Sequence, residues 1–274
     1  MSTSLSLHYS PCPNDTFIFA GLSGGRIDSQ GLSFDVRLAD VEELNHRAMR
    51  GEADVIKVSY HTFLYLSQDY VLLDAGSALG KGVGPLVISR EPYSMDDLRN
   101  LRIAIPGEYT TANLLLKLFG GPGLDTTSMV FSDVEDAVLS GKFDAGVIIH
   151  ENRFTYALRG LRKVADLGEY WEQKTGLPIP LGGIVARRSL GIEMLGTLEG
   201  MIRESIRWAA QYPELALPYI REHAQEMDEQ VMKEHIGLYV TEYSLSLGDE
   251  GRAAIQAMFS MASERGLIDK GMMT

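Results

Sequence analysis

Strand and helix patterns alternate along the first two thirds of this chain, and their order limits the folds it can adopt. The first block has helical patterns between strand patterns at residues 5–9, 32–38 and 53–58. A second block repeats this order with strand patterns at residues 101–105, at residues 128–131 and in the apolar run that ends at His150. Strands connected through helices form parallel sheets with right-handed crossovers. The sequence therefore predicts two α/β blocks.

Two further strand patterns, at residues 86–89 and 184–186, are placed to carry the chain between the blocks. From Leu190 the pattern is helical almost to the end, so these helices are expected to complete the first block. We predict a two-lobed α/β fold of the type II periplasmic-binding-protein kind, with two crossover strands. Lobe 1 comprises residues 1–90 plus 184–274, and lobe 2 comprises residues 91–183 and carries His150. A ligand cleft is expected between the lobes.

Composition excludes several classes of protein. The 274 residues are 45% hydrophobic and 23% charged, with a net charge of −12. Lys/Arg runs do not exceed two residues, so we expect no nucleic-acid partner. The sequence has no apolar stretch long enough to span a bilayer, and the first ten residues lack the pattern of a signal peptide. We therefore expect no membrane partner and a cytoplasmic location; the oligomeric state is left open.

Metal and nucleotide sites are also not expected. Cys12 is the only cysteine, which rules out an internal disulfide and a cysteine-based zinc site. The histidines lack a metal-ligand spacing such as H-E-x-x-H. Residues 76–85 are rich in glycine, but they match neither of the phosphate-binding spacings G-x-x-x-x-G-K-[ST] and G-x-G-x-x-G. They also precede a strand rather than a helix. We interpret this segment as an irregular approach to a crossover strand that lines a ligand site.

His150 is the candidate catalytic residue. It follows a short apolar strand pattern and stands where ligands bind in open α/β sheets, beyond the carboxyl end of a strand. An imidazole titrates near neutral pH and suits proton transfer. The residues alone leave a second interpretation open, in which His150 only hydrogen-bonds a neighbouring loop.

Three other segments follow strands and are expected to border the same cleft. In the segment Lys57-Val58-Ser59, Lys57 can neutralise a carboxylate and Ser59 can donate a hydrogen bond, although a solvated lysine and a helix-capping serine are the simpler explanation. Thr110 and Thr111 stand at a helix start, which suits a carboxylate or phosphate, and an ordinary N-cap is the alternative.

Asn14, in a turn fixed by two prolines, is a further candidate substrate contact, and Asn14 or Asp15 can cap the helix that follows. Cys12 in the same turn has no neighbour that would stabilise a thiolate, so we expect it to pack or to line the pocket.

Several segments together resemble the 1,4-dihydroxy-6-naphthoate synthases of the futalosine route to menaquinone. The resemblance covers essentially the whole chain, with the motifs in the same order. The matching motifs are SPCPNDTF from Ser10, KVS from Lys57, GVGP from Gly82, TT from Thr110, IIHENRFTY from Ile148 and TGLP from Thr175. One local difference is the glycine-rich turn GGPG from Gly120.

The resemblance implies a lyase that converts cyclic dehypoxanthine futalosine, a small-molecule carboxylate, to 1,4-dihydroxy-6-naphthoate. It implies His150 as the general base, and Lys57, Val58, Ser59, Thr110 and Thr111 as substrate contacts. It also implies a reaction that needs no metal and no organic cofactor. Two alternatives share the fold: the chorismate dehydratase of the same pathway and a non-catalytic solute-binding protein.

Overall fold

The structure is a computed structural model, and it describes residues 3–224 and 228–268. The strands are β1 (Thr3–Tyr9), β2 (Leu32–Leu38), β3 (Val55–Ser59), β4 (Tyr70–Leu72), β5 (Ala78–Gly80), β6 (Leu86–Ser89), β7 (Arg102–Ile105), β8 (Asp125–Ser128), β9 (Ala145–Ile148), β10 (Arg162–Asp166) and β11 (Ile179–Arg187).

The helices are α1 (Pro13–Ser23), α2 (Val41–Met49), α3 (Tyr60–Phe63), α4 (Thr111–Gly120), α5 (Val134–Leu139), α6 (Asn152–Thr155), α7 (Leu167–Thr175), α8 (Ile192–Gln211), α9 (Pro213–His223), α10 (Glu229–Tyr239), α11 (Glu242–Leu245) and α12 (Gly248–Glu264). Within the described residues, none of these helices is long and apolar enough to cross a membrane.

The strands of the described residues form two sheets. One has the order β2-β1-β3-β11-β4, with β5 paired to β11, and the other has the order β10-β6-β9-β7-β8. The chain passes from the first sheet to the second between β5 and β6, and it returns between β10 and β11. β1 pairs in parallel with β2 and β3, whereas β11 comes back antiparallel to β3. The predicted two-lobed fold with two crossovers is confirmed.

The lobe boundaries drawn from the sequence stay a prediction. The crossing strand β6 pairs with β9 and β10 in the second sheet. Residues 1–2 and 269–274, at the ends of predicted lobe 1, lie outside the described residues.

Three of the carboxyl-terminal helices pack on the first sheet. Helices α8, α9 and α10 bury Leu198, Ile220 and Met232 in one apolar cluster with Leu7 of β1 and Ile18 of α1. Because α1 is buried along nearly its whole length, it can carry polar residues only where they find partners inside the protein.

Two local predictions were wrong. Residues 128–131 are not a strand: β8 ends at Ser128, and a 3-10 turn covers Phe131–Asp133. Neither Asn14 nor Asp15 caps α1, because the helix already begins at Pro13, with Cys12 in the N-cap position. Proline is favoured at the first helical position, since its fixed φ suits a helix and its missing N–H would have no partner there. Asn14 and Asp15 therefore lie inside the first turn, and both side chains are buried.

Candidate active site

A half-open cavity lies between the two sheets, and the empty space in it and at its mouth amounts to about 700 Å³. The first sheet and its helices contribute one wall, and the second sheet contributes α4 and the end of β9. The cavity is lined by each of the residues that the sequence analysis proposed as catalytic or substrate-binding, namely Asn14, Lys57, Val58, Ser59, Thr110, Thr111 and His150. Val83, Pro85, Leu181 and Tyr239 add apolar surface. The fold thus brings the proposed residues, which come from four separate segments, to one cavity.

Lys57 is held in a buried ion pair. Strand β3 lies between β1 and β11 and all five of its residues are buried, so Lys57 needs a partner within the protein. Its Nζ donates to Asp15 Oδ1 at 2.8 Å and to the Gly76 carbonyl at 3.0 Å. An ammonium group has three N–H donors. One donor of Lys57 therefore remains for a ligand, while its charge is already balanced by Asp15.

Asp15 organises the floor of the cavity. Its carboxylate also accepts hydrogen bonds from Ser10 Oγ at 2.8 Å and from Asn14 Nδ2 at 2.9 Å. These contacts fix the Asn14 amide with its oxygen turned away from Asp15, towards His235 Nε2 at 2.9 Å. Asn14 lines the cavity with both ends of its amide already engaged.

Ser59 keeps a free donor. Its Oγ accepts from Asn45 Nδ2 at 3.2 Å, and its backbone N–H donates to Asn45 Oδ1 at 3.0 Å. Although Ser59 precedes α3, its side chain makes no capping bond to that helix. Its hydroxyl hydrogen is not used by Asn45 and can serve a ligand in the cavity. Val58 beside it supplies apolar surface.

Thr110 and Thr111 present backbone rather than hydroxyl donors. Thr110 Oγ1 donates to the Gly107 carbonyl at 2.9 Å and accepts from the Asn113 N–H at 3.2 Å, which makes Thr110 the N-cap of α4. Thr111 Oγ1 donates to the Leu181 carbonyl at 2.6 Å. The first N–H groups of a helix have no partner within it. The N–H groups of Thr111 and Ala112 are therefore the donors that this wall can offer an anion.

The turn before α4 is tied to the opposite lobe. The Tyr109 N–H donates to Glu42 Oε1 at 2.9 Å, and Thr62 Oγ1 donates to the Tyr109 carbonyl at 3.0 Å. His61 Nδ1 lies 3.2 Å from the Thr110 carbonyl, and since a carbonyl only accepts, Nδ1 carries the hydrogen. Burial lowers the pKa of His61 to about 4, so this ring is neutral near pH 7. These bonds hold the helix start over the cavity.

Replacing Thr110 by valine is expected to lower the free energy of unfolding by about 1 kcal/mol, because the cap of α4 is lost. KM for the substrate should rise as well, since the uncapped first turn no longer holds its N–H groups in place. Urea unfolding and steady-state kinetics measure the two effects. Thr110→Ser keeps the hydroxyl and should restore both values; a valine variant with wild-type stability and KM would contradict this role.

His150 follows β9 with a positive φ of 57°, a conformation that non-glycine residues seldom adopt. Such conformations persist where the surrounding structure enforces them, and they cluster at functional sites. Among the described residues its Nε2 is buried without a hydrogen-bond partner. Burial lowers the pKa of His150 to about 4, with the charge of Asp15 acting in the opposite direction. At neutral pH the ring is therefore neutral and has a lone pair able to accept a proton.

His235 was not predicted from the sequence as a site residue. It lies on α10, 85 residues after His150 in the chain, and it is fully buried. Its ring is nearly parallel to that of His150, with an interplanar angle of 18° and centroids 6.0 Å apart. Its only sequence signal is that it stands four residues before Tyr239 on the same helix. The centroids of the His235 and Tyr239 rings are 4.6 Å apart. That spacing is common to most helical pairs and does not indicate a site.

Cys12 is buried and unlinked, and burial raises the pKa of its thiol well above the ordinary value. This agrees with the expected packing role. In the part of the chain that the structure describes, no group of three or more His, Cys, Asp or Glu side chains could hold a metal ion.

In the glycine-rich segment before β6, the backbone at Gly84 lies close to the backbone of Gly168. A Cβ at Gly84 would lie 2.2 Å from the Gly168 nitrogen, so only glycine fits. Its carbonyl accepts a hydrogen bond from Arg153 Nη1 at 2.6 Å. The flanking Val83 and Pro85 line the cavity, as expected for a ligand-lining approach to the crossover strand.

Two α/β lobes with a cavity between them define the class of the type II periplasmic-binding-protein folds. The alkanesulfonate-binding protein of Xanthomonas axonopodis pv. citri shares the fold with a TM-score of 0.75 at 13% identity, over 98% of this chain and 95% of that chain. A crystal structure of an Archaeoglobus fulgidus protein is more similar, with a TM-score of 0.91 and 35% identity over 97% of this chain and 98% of that one.

Residues 5–264 match the model of a menaquinone biosynthesis family, and the chain belongs to that family. Two relatives are named 1,4-dihydroxy-6-naphtoate synthase. The Streptomyces coelicolor protein is 49% identical over 97% of this chain and 95% of its own length, and the Thermus thermophilus protein is 44% identical over 96% of each. The resemblance noted from the motifs is confirmed, and the chain is an enzyme of menaquinone biosynthesis.

Proposed function

We propose that this enzyme is a carbon–carbon lyase that converts cyclic dehypoxanthine futalosine to 1,4-dihydroxy-6-naphthoate, with His150 as the general base. The observation that carries the proposal is the neutral His150 ring in the cavity wall, whose Nε2 has no hydrogen-bond partner among the described residues. A ligand that reaches this cavity meets a neutral imidazole at one end and a helix start at the other. The names of the two relatives indicate the product, and the motif resemblance suggests the substrate.

The substrate carboxylate binds at the start of α4. The N–H groups of Thr111 and Ala112 donate to it, and the positive end of the helix dipole favours its charge. The remaining donor of Lys57 and the hydroxyl of Ser59 bind a second polar part of the substrate. The apolar side chains that line the cavity cover the ring system and exclude water, which strengthens the polar contacts.

The reaction then proceeds by proton abstraction. The neutral imidazole of His150 takes a proton from the substrate, and the electron pair left behind drives cleavage of the bond to the ribose-derived fragment. The ring aromatises as that fragment leaves, and aromatisation supplies the driving force. General-base assistance contributes about 10²–10⁴-fold, with the rest left to positioning in the closed cavity. We also propose that the reaction takes place in the cytoplasm.

Incubation of the purified protein with cyclic dehypoxanthine futalosine tests this proposal. We expect 1,4-dihydroxy-6-naphthoate to appear by mass spectrometry, and turnover to continue after exhaustive treatment with a chelator. A sample with chorismate as substrate serves as the comparison. Product from chorismate alone would assign a dehydratase, and binding of the futalosine derivative without product would assign a binding protein. Turnover that is lost with the chelator and restored by one metal would refute the cofactor-free reaction.

A further inference from the structure

Two neighbouring rings limit the orientation of the His150 ring. Its Nε2 has no hydrogen-bond partner in the described residues. Instead the ring lies between two others. Phe131 contacts it edge-on, with centroids 4.9 Å apart, and His235 faces it from 6.0 Å. Whatever fixes His235 therefore also fixes the direction of the His150 lone pair.

The hydrogen-bond chain from Asp15 determines the tautomer of His235. The Asp15 carboxylate is ion-paired with Lys57 and only accepts hydrogen bonds, so Asn14 must direct its NH₂ group to it. The Asn14 oxygen then faces His235 Nε2 at 2.9 Å, and Nε2 must carry the hydrogen. Burial lowers the pKa of His235 well below its ordinary value, which leaves Nδ1 without a proton.

We propose that His235 is a positioning residue for His150. The Asp15–Asn14 chain holds the buried His235 imidazole in its Nε2–H tautomer. His235 and Phe131 then form the two walls of a slot that orients the His150 ring. This inference rests on the proposed role of His150 as the base. His235 does not line the cavity, so it acts through His150 and not on the substrate. The slot joins three parts of the fold: α1, the loop after β9, and α10.

Ionisable groups from several elements surround the two rings, and each affects their titration. Asp15 and Lys57 act on His150, and His150 acts on His235. Glu151 Oε2 lies 3.8 Å from His235 Nδ1. Tyr239 packs on the His235 ring, and Cys12, Glu151 and Arg153 act on Tyr239. Of the groups closest to the rings, Asp15 and Glu151 favour the charged form of an imidazole, whereas Lys57 opposes it.

Nuclear magnetic resonance of the histidine rings tests the proposal without any substrate. Long-range ¹H–¹⁵N correlations distinguish a protonated from an unprotonated ring nitrogen, and single-histidine variants assign the signals. In the wild-type protein we expect His235 to have a protonated Nε2 and an unprotonated Nδ1 between about pH 6 and about pH 8. The opposite tautomer, or a doubly protonated ring, would overturn the proposal. This measurement needs no variant of His235 that folds.

A His235→Leu variant supplies the second readout. Without the flat imidazole wall, the His150 ring signals should shift, and kcat should fall by about tenfold to a hundredfold while KM stays within about twofold. His8→Leu is the matched control, because His8 is also buried and does not line the cavity; it should leave the His150 signals and kcat unchanged. Unchanged His150 signals and kcat in folded His235→Leu would overturn the proposal, as would equal effects in the control.

The two readouts separate this inference from the proposed function. If the wild-type protein does not turn over cyclic dehypoxanthine futalosine, the proposed reaction is wrong, and the tautomer and ring signals still decide whether His235 orients His150.

Discussion

Replacement of His150 by asparagine is expected to lower kcat by about two to four orders of magnitude, with substrate binding largely retained. Asparagine keeps a polar side chain of similar reach, but it cannot accept the proton. The donors that we propose for the substrate lie on α4 and β3, and the substitution leaves them in place. Steady-state kinetics and a direct binding measurement separate the two effects.

The pH profile gives an independent check of the same assignment. A general base works in its neutral form, so kcat/KM of the wild-type enzyme should rise with pH through the pKa of His150 and then level off. Burial places that pKa at about 4 in the free protein, so the plateau should already hold at neutral pH. A bound carboxylate should raise the pKa of His150 in the complex. The asparagine variant should lack this ionisation.

His223→Asn is a suitable control, since His223 is also partly buried and packs against Tyr219 on α9 without lining the cavity. It should retain wild-type kcat. If His150→Asn also retains full activity, His150 is not the base. A variant with reduced melting temperature but normal turnover would point to a purely structural role for this histidine.

Replacement of Lys57 by methionine is expected to lower the free energy of unfolding by about 3–5 kcal/mol. The substitution leaves the Asp15 carboxylate buried, with a relative exposure of 3%, and without its counter-ion. Ser10 and Asn14 still donate to that carboxylate, but neutral donors do not balance its charge. Since proteins of this kind are stable by only about 5–15 kcal/mol, urea unfolding should show a large shift.

An exposed ion pair supplies the matched control. Arg102 pairs with Asp144 at 2.8 Å, but the Arg102 side chain is 53% exposed, so Arg102→Met should lower the free energy of unfolding far less than Lys57→Met. A second variant, Lys57→Met with Asp15→Asn, removes both buried charges and should recover part of the loss. If Lys57→Met costs no more than Arg102→Met, the buried pair is not a major source of stability.

The double variant also tests whether Lys57 contacts the substrate. If the third N–H of Lys57 binds the substrate, KM should stay high even when stability has recovered. A KM that returns to the wild-type value together with stability would limit Lys57 to its pair with Asp15.

The sequence by itself determined the fold and the segments that form the cavity. Alternation of strand and helix patterns is a local property, and parallel strands connected through helices place their carboxyl ends at one edge. His150, Lys57 and Thr110 each follow or end such a strand, which is why they were predicted to share a cleft. One strand limit was wrong because the strand β8 consists of the polar residues 125–128, whereas the apolar pattern lies in residues 129–131 that follow it.

Only the tertiary structure decided what these residues are free to do. Lys57 is paired because Asp15 reaches it from α1, and the threonine hydroxyls are engaged because Gly107 and Leu181 present carbonyls to them. His235 reaches His150 because α10 packs back across the first lobe, a contact between residues far apart in sequence. Hydrogen-bond partners and burial depend on such long-range packing, which no local pattern encodes. The sequence thus located the cavity, while the packing determined which of its polar groups remain for a substrate.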